Sequence, residues 1–175
     1  MPPISDVVSA DHALIKKAFN GLVESDPTRP RDATEFIWTL GRFLIVEDLV
    51  VTPALEHHVA RGGEAHCRVS DYDSVNAMLR HLQQLDTTED SFEKQLNIAW
   101  DELELHLAPE VVADLERLEE SMAWPDADGL GTKYERIRDL LQKPYGKEGV
   151  PDAETLAAIL QTPRQELMLR IGVFG

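Results

Sequence analysis

Glu47 stands where a water-soluble helix should hold a hydrocarbon. In EFIWTLGRFLIVEDLVVTPALEHH, residues 35–58, the side chains Phe36, Leu40, Phe43, Leu44, Val50, Val51 and Ala54 form one apolar stripe at about 100° per residue, with Glu47 near its middle. An ionised carboxylate in an apolar core is costly unless it is protonated, ion-paired or bound to a metal, so Glu47 needs a partner. An arginine on another helix would satisfy it structurally; a second buried carboxylate would point to chemistry. Glu110 is the candidate second carboxylate. It follows His106 in HLAPE, 106–110, and on a continuous helix that i, i+4 spacing puts both side chains on one face, within reach of a common proton or metal. His12 lies at the edge of an N-terminal stripe between Val8 and Phe19, either as a hydrogen-bonded core-edge residue or as a ligand. Tyr72 sits at the edge of a third stripe.

Four amphipathic segments must position these groups. The first runs from Ile4 to about Glu24 and ends before the two-proline turn DPTRPR, 26–31. The second spans about Asp32 to Ala60, and Pro53 should bend it just past Glu47 by removing the hydrogen bond to the Leu49 carbonyl. A third, from about Glu64 or Ser70 to Leu85, carries Val75, Met78, Leu79 and Leu82 on one face, and a fourth extends from near Ser91 to about Met122, loosened at Pro109. His57, His58, His66 and His81 lie at helix ends or flanks and read as surface residues. This pattern predicts an all-α protein with an up-down-up-down four-helix bundle over residues 1–123, the architecture that places metal and ligand sites in its core. After Trp124 and Pro125, DADGLG reads as a boundary. A short helix about Thr132 to Gln142 follows, then the loop KPYGKEGVPD and two short helices begun by Asp152 and by Thr162 and Pro163. Residues 124–175 are expected to pack on the bundle as a helical extension, either a lid over the pocket or an inert brace.

The 175 residues suit one compact domain with an appendage. With 32 acidic against 17 basic residues the net charge is −15, which opposes binding to nucleic acid and to anionic membrane surfaces. The lone Cys67 allows no internal disulfide, and the opening MPPISDVVSADH has no signal-peptide pattern, so a soluble cytoplasmic protein is expected.

Taken together, His12, Glu47, Tyr72, His106 and Glu110 resemble the site of the hemerythrin-like, HHE-type domain, in particular its fungal intracellular branch, over roughly residues 4–122. The likeness continues into AAILQTPRQELMLRIGVF in the tail. In that family the first helix gives a His, the second HxxxE, the third a His and the fourth HxxxE, together holding two oxo-bridged irons. Here His12 in the Asp11-His12 pair matches the first. FLIVE, 43–47, keeps the Glu but has Phe43 in place of the His, and is followed by the branch's LVVxPAL run. DYDSVNAMLRHLQQL places Tyr72 where the third helix has its His, while HLAPE keeps His106 and Glu110. The resemblance therefore implies the fold, with one nitrogen ligand removed from each iron and a phenyl ring that cannot coordinate.

Two functions follow from what remains. The first is a metal-independent enzyme of proton-transfer type, an isomerase, dehydratase, lyase or cyclase with no cofactor, acting on a small hydrophobic, carbonyl-containing metabolite; the resemblance to the fungal branch implies a biosynthetic pathway. Glu47 or Glu110 would be its base, His12 or His106 its proton carrier and Tyr72 its electrophilic donor, with Trp38, Phe43 and Trp100 as apolar lining. The second is a binding protein that holds one Fe or Zn through His12, Glu47, His106 and Glu110, in a storage, redox or regulatory role.

Overall fold

A computed structural model of the chain describes residues 2–24, 30–62, 72–123, 126–147 and 149–171. In that part the protein is all-helical: α1 (Ile4–Glu24), α2 (Pro30–Val46), a π-helical turn (Glu47–Val51), α3 (Thr52–Ala60), α4 (Tyr72–Leu82), α5 (Asp90–His106), α6 (Pro109–Ser121), α7 (Asp126–Leu140), α8 (Ala153–Gln161) and α9 (Arg164–Ile171). Its only extended pairing among the described residues is a single bridge between Tyr145 and Pro151. No described helix is long and apolar enough to cross a membrane.

The long second helix changes its winding part-way along. The Thr52 N–H donates to the Glu47 carbonyl, five residues back, which is the hydrogen bond of a π turn. Pro53 follows immediately. It has no N–H for the Leu49 carbonyl, so the bend expected there is taken up in the turn before it, with Glu47 as first residue of that turn. The fourth segment breaks outright. Ala108 is extended, φ −67 and ψ 150, because a residue before proline is driven out of helical conformation, and Pro109 then starts α6. His106 is thus the last residue of α5 and Glu110 the second of α6. The helical register that would have set them on one face stops between them. The third segment's expected start lies outside the described residues.

The tail departs furthest from expectation. DADGLG is the beginning of α7, and Leu130, Tyr134 and Ile137 of that helix, with Leu141 just past its end, lie in the same core as Val8, Ile15, Phe43 and Val46. The helix packs against α1, α2 and the π turn. Asp152 caps α8 as predicted, accepting from the backbone N–H groups of Glu154 at 3.0 Å and Thr155 at 3.3 Å. The head of α1 is tied to α6, with the Ser5 N–H and hydroxyl donating to the two Glu119 carboxylate oxygens at 3.0 and 2.9 Å.

Gly131 explains why a helix is written with glycines. A β-carbon there would lie 2.1 Å from the Pro2 carbonyl oxygen, whereas one at Gly129 would meet nothing within 4 Å. Gly131→Ala should therefore lower stability by about 1–3 kcal/mol by prising the N-terminal segment off α7, despite alanine's better helix propensity. Gly129→Ala should raise it by about 0.5–1 kcal/mol. Urea unfolding midpoints of the two variants are expected to move in opposite directions.

Candidate functional site

The centre forms where α1, the π turn and α7 meet. Glu47 is 0% exposed, so the carboxylate singled out from the sequence is fully withdrawn from water. His12 is buried on α1, and the Phe43 ring meets its imidazole edge to face with centroids 5.3 Å apart. Burial first, and the neighbouring Lys16 charge second, lower the His12 pKa from an ordinary 6.5 to about 4. The imidazole is therefore neutral at physiological pH. Its Nε2 is buried and has no hydrogen-bond partner among the described residues, an arrangement proteins rarely leave without a reason.

That low pKa sets a pH dependence. Between pH 6.5 and about 4 the unfolded chain binds a proton on His12 that the folded chain refuses, so stability is complete above 6.5 and is lost as the pH falls. The loss at the acid end should approach about 3 kcal/mol. Urea midpoints of metal-free protein should fall more steeply from pH 7 to pH 4 in the parent than in His12→Gln.

The extension supplies the rest of the centre. Tyr134 of α7, 0% exposed, donates its hydroxyl proton to Asp11 Oδ2 at 2.9 Å, and Arg138, one turn further on, pairs with Asp11 Oδ1 at 2.9 Å. Burial, then the charges of Glu47 and Asp11, push the Tyr134 pKa well above 10, so it stays a protonated donor facing two carboxylates. Sequence reasoning gave the phenol's place to Tyr72 and did not consider Tyr134. The signal was present in Leu130, Tyr134, Ile137 and Leu141, whose i, i+4, i+7, i+11 spacing is a helical stripe.

The other predicted residues divide. His106 is buried at the end of α5, and the next residue's carbonyl, Leu107 O, accepts from Lys16 Nζ at 3.4 Å, which ties that end to α1 one turn from His12. The backbones of Glu110 and Tyr72 lie in α6 and α4, and their side chains fall outside the described residues. Trp38 was expected to line a substrate pocket; it is 1% exposed, borders a surface cleft between α2 and α8, and packs there with its indole N–H donated to the Asp152 carbonyl at 2.9 Å, pinning the start of α8 to α2. Trp100 is likewise a packing residue, stacked on Phe19 with centroids 3.7 Å apart and planes 5° apart, with Phe36 tilted against both.

A hemerythrin-like protein of Schizosaccharomyces pombe is 22% identical to this chain over 173 residues, covering 95% of the chain and 85% of the relative. The chain has a fungal hemerythrin-like homologue. No family model and no solved structure matches it. Because hemerythrin-like kinship implies iron or another metal, it corrects the expectation of a pocket without a cofactor. It lends nothing to the isomerase, lyase or biosynthetic readings.

The donor set bears on which metal arrangement this centre could hold. His12 offers a neutral imidazole with an unengaged buried nitrogen, and Glu47 a buried carboxylate on the adjoining helix, both suited to Fe or Zn. Phe43, which cannot coordinate a metal, packs against the flank of His12. Among the described residues, no three His, Cys, Asp or Glu side chains already cluster around one point. The donors the structure offers here are thus the His12 imidazole and the Glu47 carboxylate, both buried.

Proposed function

We propose that this chain is a metal-binding helical protein whose centre takes one Fe or Zn ion through His12, Glu47, His106 and Glu110, in a storage, redox or regulatory role. The observation that carries the reading is the His12 nitrogen: buried, neutral, and without a hydrogen-bond partner among the described residues. A core nitrogen of that kind costs stability in the metal-free protein, a cost that coordination would remove. The kinship with a hemerythrin-like protein supports the same reading. In this proposal α1, α2 with α3, α4, and α5 with α6 are the four walls of an up-down-up-down bundle over residues 1–123, and the extension, 124–175, closes it.

When bound, the ion would supply Lewis acidity and, if it is iron, one-electron chemistry. The chain's own groups prepare for it. Asp11 is held by Tyr134 and Arg138, which fixes the α1 backbone on which the next residue, His12, is carried. The Phe43 ring packs edge to face on the imidazole and covers one side of it. A thermal-shift titration tests the reading. Fe(II) under argon, or Zn(II), should raise the unfolding midpoint of the parent, since a ligand at about 100 times its Kd adds about 2.7 kcal/mol. The same titration should move His12→Ala little. A parent indifferent to both ions would remove the proposal.

A further inference from the structure

A second cleft lies away from this centre. It is enclosed by the end of α3, the end of α6 and the first turns of α7, and its volume of about 780 Å³ is that of a small-molecule pocket. Its floor includes the buried Leu118 and Leu130, while His57, His58, Arg61 and Lys133 stand around it. That grouping inverts the charge of the molecule. The chain carries 32 acidic and 17 basic residues, yet among the described residues that line the cleft Asp126 is the one acid. Asp126 opens α7, where a carboxylate answers the positive end of the helix dipole.

One of the four basic groups is oriented by the fold. His58 Nδ1 lies 2.9 Å from Ser121 Oγ, and the Ser121 hydroxyl donates to the Leu118 carbonyl at 2.7 Å. A carbonyl can only accept and a hydroxyl has a single proton, so the imidazole must be the donor to Ser121. Nδ1 therefore carries the proton, and Nε2 is left as the ring position that a ligand would meet.

We propose that this cleft binds a small amphipathic carboxylate, its head group held by Arg61 and Lys133 and its acyl chain laid over Leu118 and Leu130. A purely polar anion such as phosphate would leave the apolar floor uncovered, and a neutral lipid would leave the cationic rim without a counter-charge. An acid with a hydrocarbon tail matches both. The proposal is independent of any metal.

Calorimetric titration of the full chain with octanoate, octanol and inorganic phosphate tests it. Octanoate should bind saturably, with octanol and phosphate each weaker by about tenfold or more. Because Arg61 and Lys133 are exposed, the double variant Arg61→Glu, Lys133→Glu should keep its helical circular dichroism and lose octanoate affinity by about tenfold or more. A check that needs no variant is salt: affinity should fall as NaCl rises from about 0.05 to about 0.5 M. Absence of saturable octanoate binding, equal binding of octanol, unchanged affinity in the double variant, or salt-independent affinity would each overturn the proposal.

Discussion

A chain ended at Ala123 should lose its cooperative unfolding transition. The remaining residues hold α1 to α6, but the core they built around would lose Tyr134, Ile137, Leu141, Leu156 and Leu167, each between 0% and 7% exposed in the whole protein. Burying one such side chain is worth about 1.5–3 kcal/mol, so the loss is on the order of 10 kcal/mol, comparable with the entire stability of a domain this size. Polar losses add to it. Trp38 would keep its buried indole N–H and lose the Asp152 carbonyl, and Asp11 would lose both Tyr134 and Arg138. Circular dichroism during urea titration should show a broad slope for 1–123 where the whole chain shows a step. A sharp transition for the shortened chain, within about 2 kcal/mol of the parent, would mean that the extension is a passive brace.

The second large effect belongs to Asp11 itself. Asp11→Ala should destabilise the protein by about 3–5 kcal/mol, the range expected when one partner of a buried ion pair is removed. The carboxylate is 4% exposed and receives two hydrogen bonds of 2.9 Å, so its removal leaves the Tyr134 hydroxyl buried beside Glu47 and the Arg138 guanidinium with its inner partner gone. Arg138→Leu should cost less, because Arg138 is partly exposed at 22% and the surviving carboxylate still accepts from Tyr134. Urea midpoints of Asp11→Ala, Arg138→Leu and the double variant give the coupling. Additive effects would show that the pair acts through packing and not as a charge pair.

The helical periodicities of α1, α2 and α5 were legible because their apolar stripes are long, and Glu47 stood out because it interrupts such a stripe. The Asp152 cap was legible because a short acid before an apolar helix has one common use. Three features were hidden for physical reasons. DADGLG looked like a loop because glycine is a poor helix former, yet Gly131 is demanded by the Pro2 carbonyl pressed against it, a contact between residues far apart in the chain. HLAPE looked like one helical face because its spacing is right, but Pro109 forces Ala108 extended and splits the motif between two helices. Tyr134 joins Asp11 across 123 residues of sequence, and no local pattern connects them. The neighbours of the aromatics were hidden for a related reason: Trp38 meets α8 and Trp100 meets Phe19, which spacing along one helix does not reveal.

The most direct measurement of the central claim is the metal content of the purified protein after anaerobic loading with Fe(II) or Zn(II) and removal of excess ion. About one ion per chain is predicted for the parent, and a small fraction of that for His12→Ala and for Glu47→Gln, both judged only if their circular dichroism matches the parent. A parent that retains no ion, or variants that retain as much as the parent, would contradict it.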